Sequence, residues 1–293
     1  MAASDIKVLV SIKPFHSLVS AIMQDVSEPL LLINGNNSPH SYALRPSSAE
    51  NLQQADLVFW GGEILEGFLT KPLQSLANRA KLVSLQETAG LRLLPLRSGI
   101  GWQKHETDSA NDHSAEDETT STSGTDPHIW LDPYNAKIIS AKIVEILTAM
   151  DPQNAQSYRI NGEKYGLRLE LLDRKLKAEM TKVAETPYMV FHDAYQYFEK
   201  RYQLNVVGSM TLHIGFGSSV RRLTAVRKTI QKEKIRCIFS EPQFSPKLLQ
   251  TVIAGTNVKQ GTLDPLGAGL ESGAELYFTL LNNLSHNLSS CLN

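Results

Sequence analysis

Residues 151–183 read DPQNAQSYRINGEKYGLRLELLDRKLKAEMTKV, and this stretch decides how the rest of the chain can be arranged. Its large apolar side chains recur at intervals of three, four or seven and therefore share one face of a helix. They are Tyr158, Tyr165, Leu169, Leu172, Leu176, Met180 and Val183. Asp151 is predicted to be the N-cap with Pro152 at the first helical position, and Pro187 prevents the helix from continuing.

A helix over residues 151–185 is longer than a typical globular helix. At about 1.5 Å per residue it would run to roughly 45–50 Å, about the span of two lobes. The segments on both sides of it alternate short apolar runs with amphipathic ones. We therefore predict an α/β protein in which this rigid helix joins an N-terminal lobe, residues 1–150, to a C-terminal lobe, residues 186–293. An ordinary long helix inside a single domain is the alternative.

Apolar runs of strand length recur four times in each predicted lobe. They cover residues 6–12, 29–34, 56–60 and 81–85 in the first lobe, and residues 188–191, 205–210, 235–240 and 258–263 in the second. The runs are apolar along their length rather than alternating, as expected when helices cover both faces of a parallel sheet. Each lobe is thus predicted to be a (βα)4-type unit.

Composition excludes several classes of partner. The 293 residues carry 29 basic and 30 acidic side chains, which gives no electrostatic reason to expect nucleic acid as a partner. No apolar run approaches the ~18–20 residues that a membrane span needs. Residues 1–5 lead straight into a strand without a signal peptide, as they would in a mature secreted protein supplied without its leader.

Residues 105–126 differ in composition from the rest of the N-terminal lobe. Their sequence, HETDSANDHSAEDETTSTSGTD, lacks large apolar side chains and mixes acids, serines, threonines and two histidines. Such a segment cannot bury enough surface to offset its ordering entropy, so we predict a mobile surface loop. His105 and His113, beside so many carboxylates, are candidates for weak metal binding.

Four residues are candidates for a tight metal site. His40, His192 and Asp264 each follow a predicted strand, and His128 lies between two Asp-Pro steps. Ligands of open α/β sheets bind beyond the carboxyl ends of the strands, where loops and helix N-termini converge. Three imidazoles and one carboxylate match a tetrahedral Zn²⁺ site in type and number. For any one of these histidines alone, a purely structural role is the stronger interpretation.

The remaining candidates have weaker support from the sequence. We assign His16, at a helix start, and His286, on the terminal helix, to structure, and the role of His213 stays open. Three glutamates are candidates for contact with the edge of the site: Glu63, Glu66 and Glu241.

The two cysteines can be interpreted in two ways. Cys237 lies in an apolar strand-like run and Cys291 lies near the C-terminus. Two isolated cysteines are more often free thiols in a cytosolic protein, whereas a bridge would fasten the last helix to the second sheet. A bridge closing a loop of this size is worth roughly 4 kcal/mol on the chain-entropy model. The residues by themselves leave both states open.

Several motifs resemble those of one protein family. They are NSPHSYALRPS, ADLVFWGGEILEGFL, DPHIWLDP, VFHDAYQYFEKRY, CIFSEPQF and GTLDPLG. Over nearly its whole length the chain is similar to the zinc-specific periplasmic substrate-binding proteins of bacterial ABC transporters, the ZnuA group of the metal-binding solute-binding proteins. The resemblance implies two parallel-sheet lobes joined by one long helix, with the metal in the interlobe cleft.

The ligand positions of that family can be carried over by motif. His40, His128 and His192 match ligands, and Asp264 matches a position that ligates in some relatives while others use water. The manganese-binding relatives carry a carboxylate in place of His192. Because imidazole-rich sites suit Zn²⁺ and carboxylate-rich sites suit Mn²⁺, zinc is the predicted metal.

The resemblance also bears on the loop, the cysteines and the rim of the cleft. Members of the group carry an acid- and histidine-rich loop where residues 105–126 stand, and they pair cysteines that match Cys237 and Cys291. Two departures are visible. Pro39 stands where some zinc relatives place a glutamate, and residues 212–218 replace a loop that contains proline and glutamate.

Together these features predict high-affinity zinc capture in the periplasm by a monomer that is not an enzyme, and delivery of the zinc to the membrane permease of an ABC importer. A manganese- or iron-binding protein or adhesin of the same fold is one alternative. A zinc hydrolase is another, because three histidines with an open fourth position also form a catalytic arrangement. Against a hydrolase, the sequence contains neither an HExxH motif nor a GxSxG motif.

Overall fold

The computed structural model describes residues 6–97, 124–211, 220–244 and 246–293. Its N-terminal lobe consists of β1 (Val8–Val10), α1 (Lys13–Ile22), β2 (Leu30–Leu31), α2 (Pro46–Gln54), β3 (Leu57–Trp60), α3 (Thr70–Leu76), β4 (Lys81–Ser84) and α4 (Pro133–Met150). The four strands are parallel and lie in the order β2-β1-β3-β4. One 3₁₀ turn, Ile129–Leu131, precedes α4 and becomes important at the site.

The connecting helix α5 (Ala155–Met180) leads from this lobe to the C-terminal lobe. That lobe consists of β5 (Tyr188–His192), α6 (Gln196–Tyr202), β6 (Val206–Thr211), α7 (Val220–Lys232), β7 (Cys237–Ser240), α8 (Pro246–Ile253), β8 (Lys259–Thr262) and α9 (Leu276–Leu292). Its four strands are also parallel, in the order β6-β5-β7-β8. The predicted α/β fold with two four-stranded parallel sheets is confirmed.

The inner strands of both sheets are buried on both faces. Every residue of β1, β5 and β7 is buried, whereas the outer strands β4 and β8 are partly exposed. This is the reason why the inner strands are apolar along their length instead of alternating. Among the described residues, no helix is both long enough and apolar enough to span a bilayer.

The helix α5 buries the face that its sequence periodicity predicts. Tyr158, Tyr165, Leu169, Leu172, Leu176 and Met180 are its buried residues, and Val183 is buried just beyond its end. The predicted first turn differs slightly, because Pro152–Asn154 form a 3₁₀ turn and α5 itself begins at Ala155. The Asp151 carboxylate accepts hydrogen bonds from Asn154 Nδ2 and the Tyr158 hydroxyl, both at 2.7 Å, and so anchors this turn.

Both lobes pack against α5. It lies along α4 and α1 on the N-terminal side and along α9 and α6 on the C-terminal side. At 26 residues it is about 39 Å long, which is enough to reach both. Gly162 permits the close approach of α4, because a Cβ atom there would collide with Val144. One continuous hydrophobic core crosses both lobes, so the domain boundaries at residues 150 and 185 stay a proposal.

A disulfide joins Cys237 on β7 to Cys291 on α9. The bridge that the family resemblance implied is therefore present in the structure. It fastens the last helix of the chain to the second sheet, across a separation of 54 residues.

Removal of this disulfide is expected to lower the free energy of unfolding by roughly 4 kcal/mol on the chain-entropy model. The physical reason is that the unbridged unfolded chain has more conformational entropy. Denaturant unfolding of a Cys237→Ser/Cys291→Ser variant under oxidising conditions measures the effect. Addition of a reductant should bring the parent close to the variant, and equal stability of variant and oxidised parent would contradict the prediction.

Candidate metal centre

Three histidines from separate parts of the chain meet between the lobes. His40 lies in the loop between β2 and α2, His128 immediately precedes the 3₁₀ turn Ile129–Leu131, and His192 is the last residue of β5. One ring nitrogen of each lies within 4.8 Å of the others, and the Nε2 atoms of His40 and His128 are 3.3 Å apart. His128 and His192 are 4% and 5% exposed, and His40 is the most exposed of the three. The structure thus brings together all three predicted imidazole ligands.

Carboxylates orient two of the three rings. His128 Nδ1 donates to Asp126 Oδ1 at 2.8 Å, and the His128 backbone N–H donates to the same oxygen at 2.9 Å. His192 Nδ1 lies 3.2 Å from Glu241 Oε1. A carboxylate accepts but does not donate when ionised, so both Nδ1 atoms carry the hydrogen. The Nε2 atoms of His128 and His192 are therefore the ones available to a metal ion.

The charges around His192 favour its protonated form when no metal is bound. Burial by itself would lower the pKa of His192. The charge of Glu241 and its hydrogen bond to the ring, together with the charges of Asp193 and Asp126, outweigh burial and raise the pKa. A proton therefore competes with a metal ion for His192 more strongly than it would at an ordinary histidine.

Asp264, the fourth predicted ligand, does not join the three histidines. Its carboxylate accepts backbone N–H groups of Leu266, Gly267 and Ala268 at 3.1, 3.0 and 2.6 Å. Gln243 Nε2 donates a fourth, longer hydrogen bond of 3.3 Å to the same carboxylate. In this structure Asp264 organises the loop that follows β8, and its ligation of metal stays a prediction.

The glutamate candidates lie in different environments. Glu241 is buried beside His192 and lines the pocket at the three rings, whereas Glu63 is exposed. Glu66 is fully buried and accepts the Gly61 N–H at 2.6 Å. Burial raises the pKa of Glu66 to about 7, although hydrogen bonds from Ser11 and from the Gly61 and Gly62 backbone oppose the shift. Neither Glu63 nor Glu66 lines the pocket.

The other histidines lie apart from this group or outside the described residues. His16 is held by contacts of its ring nitrogens with the Pro29 carbonyl at 2.9 Å and Ser20 Oγ at 3.2 Å, and His286 is exposed on α9. Both placements agree with the structural roles expected for them. Three further histidines, His105, His113 and His213, lie outside the described residues. So does the segment 212–218, which differs from the loop of the family.

Asp126 is the site residue that sequence reasoning missed. We expected it to end the mobile loop 105–126, but it is 2% exposed and its carbonyl accepts from the Tyr197 hydroxyl at 2.8 Å. Its backbone N–H donates to the Leu94 carbonyl at 2.8 Å. Asp126 could have been identified from the motif DPHIWLDP, because an aspartate two residues before a histidine can reach the Nδ1 of that ring.

Replacement of Asp126 by alanine is expected to weaken zinc binding by about 10–100-fold, the usual cost of losing a partner of a ligating histidine. The His128 ring would lose the acceptor that sets its tautomer and orientation. Asp126→Asn keeps an acceptor oxygen and is the matched variant, for which a smaller loss is expected. Chelator competition measures both affinities. An Asp126→Ala protein that binds zinc like the parent would show that His128 needs no such partner.

The fold and the site define a class of protein: two parallel α/β lobes, one long connecting helix, and a cluster of imidazoles in the cleft between the lobes. The chain belongs to the ZnuA family. The matching family model is described as "Zinc-uptake complex component A periplasmic" and covers residues 8–291.

Individual relatives agree with this assignment. The chain is 40% identical to the high-affinity zinc uptake system protein ZnuA of Brucella abortus, over 97% of this chain and 91% of that protein. Its fold is similar to a crystal structure of ZnuA, with a TM-score of 0.81 at 23% identity over 99% of this chain and 100% of the other. It is also similar to FpvC from Pseudomonas aeruginosa in complex with Mn²⁺, with a TM-score of 0.79 at 20% identity and 99% coverage of both chains.

Proposed function

We propose that this protein captures Zn²⁺ with high affinity in the periplasm and delivers it to the membrane permease of an ABC importer. The observation that carries the proposal is the approach of His40, His128 and His192 to within 4.8 Å of one another. Neutral imidazole nitrogens are preferred zinc ligands, and Asp126 and Glu241 supply the outer partners that such ligands usually have. Because ligands come from both lobes, the bound ion would also hold the lobes together.

The fourth ligand position is proposed to hold a water molecule or Asp264. The Asp264 carboxylate is not among the ligand atoms that lie within 4.8 Å of one another. To reach the ion it would have to move away from residues 266–268, whose N–H groups donate hydrogen bonds to it. Hydrogen bonds to a charged group are worth roughly 1.5–3 kcal/mol each. We therefore favour water as the fourth ligand in this conformation, with three histidines as the protein ligands.

Several observations support the cellular setting. A disulfide between Cys237 and Cys291 suits an oxidising compartment such as the periplasm. The family model is described as periplasmic and as a component of a zinc-uptake complex. We propose that the mature chain acts there as a monomer, that zinc is its cargo rather than a cofactor, and that it catalyses no reaction.

Two other functions remain to be separated from this one by experiment. A manganese-binding role is favoured by the fold similarity to FpvC in complex with Mn²⁺, but three imidazoles suit Zn²⁺ better than Mn²⁺. A zinc hydrolase would need an open coordination position. Elemental analysis of protein purified without a metal-affinity tag, followed by competition between Zn²⁺ and Mn²⁺, tests the metal. Assays for esterase and bicarbonate activity of the zinc form test the hydrolase.

Deletion of residues 105–123 is expected to leave one tightly bound zinc per chain and to shift the melting temperature by only a few degrees. Residues 105–123 carry no large apolar side chain, so their removal should cost little core packing. Any weaker zinc equivalent held by His105 and His113 should vanish. Isothermal titration with zinc and thermal unfolding measure these outcomes.

A longer deletion, of residues 105–126, is the matched control. It also removes Asp126, the partner of His128, and should lower the affinity of the tight site as Asp126→Ala does. Loss of the tight site in the shorter deletion would contradict the prediction that residues 105–123 are not needed for tight zinc binding.

A further inference from the structure

Lys13 makes an unusual contact between the lobes. It is the first residue of α1 in the N-terminal lobe and is 7% exposed. Its ammonium group donates to three backbone carbonyls of the C-terminal lobe, those of Gly267, Ala268 and Leu270, at 3.2, 2.9 and 2.7 Å. An ammonium group has three donors and no acceptor, so these carbonyls satisfy it completely.

The three carbonyls belong to the loop 264–270, which is part of the connection between β8 and α9. The N–H groups of this loop point in the other direction, where residues 266–268 donate to the Asp264 carboxylate. Gly267 has a φ of +67°, a left-handed conformation that permits this tight path. The loop is thus held between an anion of its own lobe and a cation of the opposite lobe.

The same loop forms a wall of the three-histidine pocket. Pro265 and Leu266 line that pocket. The Pro265 carbonyl accepts a hydrogen bond of 2.7 Å from Trp130 Nε1, and the Trp130 ring packs edge-on against the His128 ring at a centroid distance of 5.4 Å. A displacement of the loop would therefore disturb the packing of a histidine that belongs to the other lobe.

We propose that Lys13 is a positioning residue for metal binding. Its ammonium group holds the loop 264–270 against the N-terminal lobe, and this contact keeps the ligands from the two lobes correctly placed relative to each other. The proposal rests on the proposed function, in which His40, His128 and His192 bind zinc. Ligand distances at a zinc site are set to within about 0.2 Å. Because His192 lies on one lobe and the other two histidines on the other, a fastening between lobes reduces the cost of assembling the site.

The first test compares Lys13→Met with Ser17→Ala. Ser17 is one turn further along α1 and also bonds the opposite lobe, since its Oγ donates to the Ala274 carbonyl at 3.1 Å and accepts the Tyr277 N–H at 3.0 Å. These contacts lie outside the loop 264–270. We expect K13M to weaken zinc binding by about 10–100-fold, the range for residues that orient ligands, and S17A to change it much less. Equal losses in the two variants, or none in K13M, would overturn the proposal.

The second test uses chemical rescue. In Lys13→Ala the three carbonyls face the space left by the side chain, which methylammonium can enter as a donor. We expect methylammonium to restore much of the zinc affinity of K13A, with tetramethylammonium at the same concentration, which cannot donate, as the control. A merely structural loss of packing would not respond to the cation, so absence of rescue counts against the proposal. If K13M does not fold, Lys13→Gln, which keeps two donors but no charge, is compared with Lys13→Ala. We expect a smaller loss of zinc affinity in K13Q than in K13A, and parental affinity in both variants overturns the proposal.

Amide hydrogen exchange of the metal-free protein separates this proposal from the proposed function. The N–H groups of residues 266–268 should exchange faster in K13M than in the parent, whether or not the protein binds zinc. A parent that fails to bind zinc would refute the proposed function alone. A parent that binds zinc, with unchanged exchange and affinity in K13M, would refute the role of Lys13 alone.

Discussion

Replacement of His40 or His192 by alanine is expected to lower zinc affinity by more than about 100-fold, beyond the effect of losing an outer partner. Each histidine supplies one of three nitrogens, and the two come from opposite lobes, so either variant leaves two protein nitrogens at the site. His40 is the most exposed of the three, so His40→Ala should affect the stability of the metal-free fold least. Chelator competition measures the affinity, and thermal unfolding of metal-free protein measures the fold.

Histidines outside the cluster serve as controls for this experiment. His286 is exposed on α9, and the ring nitrogens of His16 contact Pro29 and Ser20. His286→Ala and His16→Ala should therefore leave zinc affinity nearly unchanged, although loss of the buried His16 ring can cost stability. A loss of zinc affinity in His286→Ala equal to that in His40→Ala would contradict the assignment of the metal ligands.

Acidification is expected to weaken zinc binding with up to a third-power dependence on proton concentration, or about 1,000-fold per pH unit at the acid limit. A histidine coordinates Zn²⁺ only as neutral imidazole, and an ordinary histidine titrates near pH 6.5. A carboxylate ligand ordinarily titrates near 3.9 and would add nothing to the slope between pH 5 and 7. A site with two histidines would be limited to a second-power dependence.

The raised pKa of His192 determines at which pH protons begin to compete with zinc. Because Glu241 and the neighbouring carboxylates outweigh burial and favour protonation, proton competition at His192 should begin at a higher pH than at an ordinary histidine. In the metal-free protein, the protonated His192 beside Glu241 contributes stability that is fully present below the unfolded-state pKa. This contribution is lost as pH rises through the higher folded-state pKa. Zinc stabilisation has the opposite dependence and grows as pH rises.

Two measurements check the proton linkage. Zinc affinity is measured by chelator competition from pH 5.0 to 7.5, with a correction for the protonation of the chelator. At a thousandfold excess over Kd, zinc should stabilise the fold by about 4 kcal/mol. The difference in melting temperature between zinc-loaded and metal-free protein should shrink on acidification over the same pH range. A flat affinity profile would mean that the histidines are not the ligands.

Much of the architecture was predictable because it depends on local periodicity. The apolar spacing in residues 151–183 identified the face of α5 that is buried, since residues three and four apart share one side of a helix. The uniformly apolar strands predicted parallel sheets covered on both faces. His40 and His192 could be proposed as ligands because each follows a predicted strand, and ligands bind beyond the carboxyl ends of parallel strands. His128 was proposed from the motif DPHIWLDP.

The partners of buried polar groups could be determined only from the tertiary structure. Three of the four Asp-Pro steps in the sequence illustrate this: Asp126 accepts from His128, Asp132 caps α4 and pairs with Arg201, and Asp264 binds its own loop. The contact of Lys13 with that loop joins residues more than 250 positions apart. Periodicity reports whether a side chain is buried, because burial follows from the geometry of one helix or strand. Which acceptor a buried donor meets depends on how distant segments pack, and no local pattern encodes that choice.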